Sequence, residues 1–434
     1  MKKNRSTTNK FSELFEQLIE SKNNRLIFIV ICSLIAFLII FIFGPSPTAG
    51  DTDSNVAAGS VIASGKLDAL RTPIYPLFIY FFKLLFGYGV LSKSLIICFQ
   101  YLLFVLSICC FNTVAKYFIQ SQKLVFLLVL IYACHPATLV WQKIIMTESF
   151  ALSGIVFLLY FIVQFLKTQK KMYCFWINFT LLFLVLLRPV FLFLIPIILV
   201  FWVYLILKKE MHGYMGIILN IFVVSIIAFY GFNFQKQYGI FTLSTVSDVN
   251  QYMMLRDAKL ISTVGCENVK LKTEVEKFCQ HAGTSSDYFD EFIYLYTNYN
   301  YDLCQKLVQN SIKINLKAFL NYNMNRIGAQ TINSNIGFWE GLTHNNFYPY
   351  VRFFCFPFIL LYIFLIFYPL LFFKDIKNWE LSILIYFIAI ASLFAIILGA
   401  PNAWGRLIVP TIPVLLIMFG QSLSIFCKSS NKIK

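Results

Sequence analysis

The chain has 434 residues, of which 59% are hydrophobic and only 13% are charged, and its formal net charge is +16. A soluble domain carries about 25% charged residues, so charge this sparse excludes a soluble globule of this length. Apolar runs of about 18 residues recur, each long enough to cross a bilayer as a helix, and they predict an all-α polytopic membrane protein.

A polar segment, residues 1–25, precedes the first of about ten predicted transmembrane helices. These are predicted at 26–44, 91–113, 123–140, 150–166, 173–187, 190–207, 213–231, 351–373, 380–399 and 407–426. Residues 74–86 form an apolar run too short for a span and are predicted to be an interfacial or partly inserted helix. The chain therefore divides into the segment 1–25, a transmembrane module 26–231 containing the loop 45–90, a long partly helical segment 232–350, and the C-terminal part 351–434.

Positive charge is concentrated in alternate connecting segments. The termini and every second connection hold 18 of the 36 Lys and Arg residues but only 6 of the 20 acidic residues, whereas the segment 232–350 has ten of each. By the positive-inside rule the basic set lies in the cytoplasm, together with both termini, and the loops 45–90 and 232–350 lie outside. This topology accounts for most of the net charge, so a nucleic-acid partner is not predicted.

Four carboxylates remain once the cytoplasmic segments and 232–350 are set aside: Asp51, Asp53, Asp68 and Glu148. Asp53 precedes a run of small residues, 54–65, and is predicted to cap a short helix there. Arg71 follows closely and offers a planar donor fork suited to phosphate oxygens. Such carboxylates are alternatively part of a solvated loop, and Glu148 alternatively only complements the dipole of the next helix.

Three motif regions then become recognisable in order along the chain. They are Asp53-Ser54 followed by Arg71-Thr-Pro-Ile-Tyr75-Pro76, His135-Pro136 followed by Thr147-Glu148, and Gly405-Arg406-Leu-Ile-Val-Pro410-Thr-Ile-Pro413. Together with Leu187-Arg188-Pro189, this order resembles the GT-C glycosyltransferases, in particular the bacterial relatives of protein O-mannosyltransferases and the lipid A aminoarabinose transferase. The resemblance covers most of 26–200 and the last 30 residues, while 232–350 aligns with nothing familiar.

The resemblance implies GT-C-like helices in the outer loop 45–90 and an inverting glycosyltransferase in the bacterial inner membrane. Such an enzyme moves a sugar from a polyprenyl-phosphate donor to a surface glycan, lipid or protein. Asp53 is the favoured base and Asp51 the alternative.

The other implied site residues bind phosphate or support the site. Arg71, Arg406 and Arg188 would hold the donor phosphate, with support from Tyr75, Glu148 and Lys66. No cofactor is required, and although a divalent metal is compatible with the chemistry, the sequence offers no clear ligand set. The basic residues Arg188 and Arg406 alternatively only snorkel to the membrane surface.

Other classes of function stay open at this stage. A flippase or transporter for lipid-linked saccharides would show internal repetition and charges within spans, neither of which is evident. An O-antigen polymerase using a diphosphate-linked saccharide is a closer rival, and a scaffold would not need clustered Asp and Arg residues. An oxidising outer side would allow Cys266 and Cys279 to pair as a disulfide, with Cys304 left over.

Overall fold

The computed structural model describes residues 22–48, 51–210, 212–332, 379–399 and 408–432, and every element in these ranges is helical. The predicted all-α class is therefore confirmed for the described residues. The predicted span 351–373 and the predicted phosphate ligand Arg406 lie outside them.

Ten α-helices precede the long polar segment in the described part of the chain. They are α1 (Lys22–Phe43), α2 (Asp51–Ala63), α3 (Ile74–Phe86), α4 (Val90–Phe118), α5 (Gln122–Cys134), α6 (Pro136–Lys143), α7 (Glu148–Thr168), α8 (Lys171–Leu187), α9 (Leu194–Leu207) and α10 (His212–Tyr238). The later helices are α11 (Val246–Asp257), α12 (Val269–Cys279), α13 (Ser285–Asn298), α14 (Tyr301–Ile314), α15 (Leu316–Ile332), α16 (Trp379–Gly399) and α17 (Ile412–Lys432).

Six helical stretches in the described ranges are long and apolar enough to cross a membrane, so the predicted count of about ten is not confirmed. They are Asn23–Phe43, Val90–Phe118, Gln122–Lys143, Glu148–Thr168, Pro189–Leu207 and His212–Tyr238. Three further predicted spans, 173–187, 380–399 and 407–426, correspond to the shorter apolar stretches Lys171–Leu187, Leu381–Ala395 and Val409–Ile425. A helix of 17 residues rises only about 25 Å, less than the hydrocarbon thickness of about 30 Å.

The outward faces of the long helices are apolar. On α1, large hydrophobic side chains at helical spacing are exposed, namely Ile27, Ile31, Leu34, Ile35, Leu38 and Ile42. A continuous apolar stripe of this kind would cause aggregation in water, but it is the expected surface of a helix in lipid. The chain is therefore a membrane protein by the chemistry of its surface as well as by its composition.

The third predicted span, 123–140, is divided into two helices, α5 and α6. The division falls at His135-Pro136, where proline lacks an N–H and begins the new helix. The His135 ring accepts a hydrogen bond from the Ala137 N–H at 3.0 Å and caps α6. The short helix α6 then delivers Lys143 to the end of α1.

Lys143 closes the C-terminus of α1. Its side chain is 6% exposed, and its Nζ donates to the carbonyl oxygens of Ile40, Phe41 and Gly44 at 3.3, 2.9 and 3.0 Å. The last carbonyl groups of a helix have no partner within the helix, and a cation there also complements its dipole. This contact fixes the point from which the chain leaves α1 towards α2.

Helices α11 to α14 and the start of α15 form a second core within the segment 232–350. Its buried residues include Tyr252, Leu255, Phe292, Leu307 and Phe319. The prediction that 232–350 is partly helical is confirmed for its described residues, where α13, α14 and α15 follow one another closely. Each of the first two is capped by a side chain at its start: Thr284 for α13 and Asn300 for α14.

A largely buried ion pair lies beside this second core. Arg256 is 5% exposed and donates to both carboxylate oxygens of Glu291, at 2.8 and 3.0 Å. The three cysteines of the segment, Cys266, Cys279 and Cys304, are free thiols in this structure.

Candidate functional site

Helix α2 begins at Asp51, so the prediction that Asp53 caps the helix is wrong. Asp51 and Asp53 both lie in its first turn, where acidic side chains complement the helix dipole. Two residues along a helix correspond to a rotation of about 200°, so these two side chains point to nearly opposite faces. Only one of them can therefore face the interior of the molecule.

Two contacts hold α2 against other segments of the same molecule. The hydroxyl of Thr52, which is fully buried, donates to the carbonyl of Ile145 at 3.1 Å. Gly59 lies so close to α3 that a Cβ atom there would be 2.5 Å from the carbonyl oxygen of Pro76. The absence of a side chain at Gly59 is what permits this close approach.

Asp51 forms an ion pair with Arg71. The Arg71 Nη2 donates to Asp51 Oδ1 at 2.8 Å, and the Arg71 Nε donates to Ser54 Oγ at 3.0 Å. The side chains of Arg71 and Asp51 are 19% and 28% exposed, so both remain accessible to a ligand. A guanidinium group has five N–H donors, and these contacts use two of them.

The position of Arg71 is set by a local turn and by hydrogen bonds from the segment that follows α10. Asp68 Oδ1 accepts from the backbone N–H groups of Leu70 and Arg71 at 2.9 and 2.8 Å. From the segment after α10, Ser244 Oγ donates to the carbonyl of Leu70 at 2.8 Å and Thr245 Oγ1 donates to that of Ala69 at 2.9 Å. Asp68 therefore shapes the loop, and the segment after α10 is tied to it.

Glu148 and Arg188 form a second ion pair beside the first. Arg188 Nη1 lies 3.3 Å from Glu148 Oε1, and their side chains are 13% and 1% exposed. Glu148 begins α7 and Arg188 follows the end of α8. A buried carboxylate of this kind needs a paired cation, because the cost of removing its charge from water is otherwise large.

A cavity of about 350 Å³ lies where these elements meet. Its charged lining residues are Asp51, Arg71 and Arg188. The uncharged polar lining is Asn55, Thr72, Thr147, Thr242, Ser244, Ser247 and Asn250. The apolar lining is Leu70, Pro76, Leu187, Pro189, Val190, Leu192, Val246 and Ala395. The volume is within the range of small-ligand sites, about 300–1,000 Å³.

The remaining predicted site residues are elsewhere or have structural partners. Asp53 and Lys66 are exposed and do not line the cavity. Burial raises the pKa of Tyr88, and the negative charge of Asp53 raises it further. Tyr75 is fully buried, and its hydroxyl donates to Gln100 at 2.6 Å.

The polar residues of the cavity that sequence reasoning missed include Asn55, Ser247 and Asn250. Asn55 stands four residues after Asp51 and so shares its face of α2, a signal that helical periodicity over 51–63 would have given. The residues Ser247 and Asn250 carry no such signal, because they lie in a long polar segment whose packing only the fold determines.

The arrangement offers acid–base and anion-binding groups. Within the described ranges, no three His, Cys, Asp or Glu side chains are grouped so that they could hold a metal ion. Comparisons with protein-family models and with curated proteins found no match for this chain.

Proposed function

We propose that the protein is an inverting membrane glycosyltransferase, which transfers a sugar from a polyprenyl-phosphate donor to a glycan, lipid or protein acceptor. The observation that carries the proposal is that Asp51, Arg71 and Arg188, which are separated by up to 137 positions in the sequence, line one cavity. Apolar side chains line the same cavity and suit a prenyl chain. A base, two phosphate-binding cations and an apolar wall are the groups that this reaction requires.

Asp51 is the proposed base, in place of Asp53. It accepts the proton of the acceptor hydroxyl as that oxygen attacks the anomeric carbon. The bond between the anomeric carbon and the donor phosphate oxygen breaks with its electron pair, and the lipid phosphate leaves. Attack from the opposite face inverts the anomeric centre. The hydrogen bond from Arg71 to Oδ1 holds the orientation of the carboxylate.

Arg71 and Arg188 would stabilise the charge on the departing phosphate. Planar guanidinium groups bind phosphate oxygens in pairs, and a cation fixed in advance stabilises developing charge without reorganisation. Glu148 would act through Arg188, whose position it fixes. No metal ion is needed for these steps.

The proposed topology has ten spans, both termini in the cytoplasm and the cavity at the outer face of a bacterial inner membrane, with α2 and α3 as the GT-C-like outer helices. One observation supports the sidedness. Most of the cavity lining comes from 45–90, Thr147, Arg188-Pro189 and 242–250, four segments that the positive-inside rule assigns to the same side.

The test is sugar transfer by the full-length protein in vesicles containing undecaprenyl-phosphate hexose. Asp51→Asn should reduce turnover by about 10²- to 10⁴-fold, the usual contribution of a positioned base. Asp53→Asn is the matched control, since it makes the same change in the same helical turn but outside the cavity.

Full turnover in Asp51→Asn, with loss in Asp53→Asn, would restore Asp53 as the base. Full turnover in both would refute the mechanism. Turnover only with a diphosphate-linked saccharide would identify the O-antigen polymerase alternative instead.

A further inference from the structure

One buried polar atom in the cavity wall has no partner among the described residues. Asn55 is 2% exposed and lines the cavity, and nothing donates to its Oδ1. Its amide nitrogen donates to the Asp51 carbonyl at 2.7 Å, which fixes the amide group with its oxygen as the open acceptor. A buried acceptor without a partner is costly, so this atom calls for a ligand that brings an O–H or N–H group.

A second helix adds two more unengaged polar side chains. Ser247 and Asn250 lie three positions apart on α11 and therefore on one face of it, and both line the cavity. None of the hydrogen bonds found within the described part of the chain involves either side chain. The hydrogen bond from Ser244 to the carbonyl of Leu70 holds the start of α11 at the cavity.

These three groups are neutral, in contrast to Asp51, Arg71 and Arg188. An amide oxygen, an amide group and a hydroxyl together accept and donate hydrogen bonds but neutralise no charge. They suit a ligand part with several neighbouring hydroxyl groups, because an ionised phosphate would bring no donor to the open acceptor of Asn55. The charged residues are already assigned to the donor phosphate and to the reacting hydroxyl.

We propose that Asn55, Ser247 and Asn250 form a saccharide-binding wall that reads the hydroxyl groups of the sugar and so determines sugar specificity. The proposal rests on the proposed function for the identity of the ligand as a saccharide. The sugar belongs either to the lipid-linked donor or to a glycan acceptor, and the chemistry of recognition is the same for both.

The experiment measures binding to the purified full-length protein, which separates the wall from catalysis. The probes are citronellyl phosphate, citronellyl-phosphate-linked mannose, glucose and galactose, and the free methyl hexosides. The variants are Asn55→Ala and the double variant Ser247→Ala/Asn250→Ala, with Gln309→Ala as the control. Gln309 is exposed on α14 and does not line the cavity.

Each lost hydrogen bond should weaken binding of a sugar-bearing probe by about 2- to 12-fold, the range for a net contribution of about 0.5–1.5 kcal/mol. The variants should bind bare citronellyl phosphate as the wild type does. Selective loss for the sugar phosphates assigns the wall to the donor, and selective loss for the methyl hexosides assigns it to the acceptor. The double variant changes side chains that are exposed or half-buried, so it tests the wall even if Asn55→Ala disturbs α2.

If both variants bound every sugar-bearing probe with the affinity of the wild type, the proposed saccharide-binding wall would be refuted. Sugar transfer by the wild type would then still support the proposed function. Equal weakening for bare citronellyl phosphate would also overturn the wall, because the residues would then bind phosphate. Sugar-dependent binding that the variants lose, without turnover by the wild type, would support the wall and refute the transferase.

Discussion

Asp248 provides a stability prediction that can be worked out from the structure. Its side chain is 9% exposed within the second core, where Gln305 Nε2 donates to its Oδ2 at 3.1 Å. Burial raises the pKa of Asp248 from an ordinary value of 3.8 to about 6. Since this pKa is higher in the folded state, that state binds more protons than the unfolded state between these two values.

The sign of the effect follows directly. At pH 8 the ionised carboxylate reduces the free energy of unfolding by about 3 kcal/mol, at about 1.36 kcal/mol per pKa unit. The penalty diminishes as the pH falls through about 6, is roughly halved at pH 5, and disappears below about 4. The neighbouring thiol of Cys304 stays neutral over this range, because burial raises its pKa to about 12.

The perturbation is Asp248→Asn, which removes the charge and keeps an acceptor for Gln305. At pH 8 the variant should raise the local unfolding free energy of α11 to α14 by up to about 3 kcal/mol, and the wild type should approach it as the pH is lowered to 5. Hydrogen–deuterium exchange of peptides from 246–314, in vesicles at both pH values, measures this difference. Faster exchange in Asp248→Asn at pH 8, or a wild type that loses protection between pH 8 and pH 5, would refute the reasoning.

Two further predictions concern the packing around the cavity. Glu148→Gln removes the carboxylate that pairs with the largely buried Arg188 and should lower the free energy of unfolding by about 3–5 kcal/mol in thermal unfolding. The double variant Glu148→Leu/Arg188→Met should recover most of this loss. An unchanged melting temperature in Glu148→Gln would contradict the pairing. Gly59→Ala places a Cβ against the Pro76 carbonyl, so it should lower the free energy of unfolding by about 1–3 kcal/mol and reduce sugar transfer. The control Ala57→Val, on the exposed face of α2, should change neither quantity. Wild-type behaviour of Gly59→Ala would show that α2 and α3 are less tightly packed.

Local patterns in the sequence predicted the regular elements well. The apolar run 74–86 is a helix with those bounds, Ile74–Phe86, because hydrophobicity and helix propensity are properties of neighbouring residues. The division at His135-Pro136 was missed because hydropathy averages over proline, although the missing N–H of Pro136 is itself a local signal. The sequence predicted about ten spans, whereas six helices in the described ranges are long and apolar enough to cross a membrane. Length and apolarity alone do not decide whether a shorter helix crosses the membrane.

The sequence by itself determined that this is a helical membrane protein, and the charges that it singled out include Asp51, Arg71, Glu148 and Arg188. Only the tertiary structure decided that these charges form two ion pairs and that three of the four residues line one cavity. It also placed Asp51, and not Asp53, at the cavity together with Asn55, Ser247 and Asn250. The physical reason is that charge and apolarity are carried by each residue, whereas a site depends on distances between helices that are far apart in the chain.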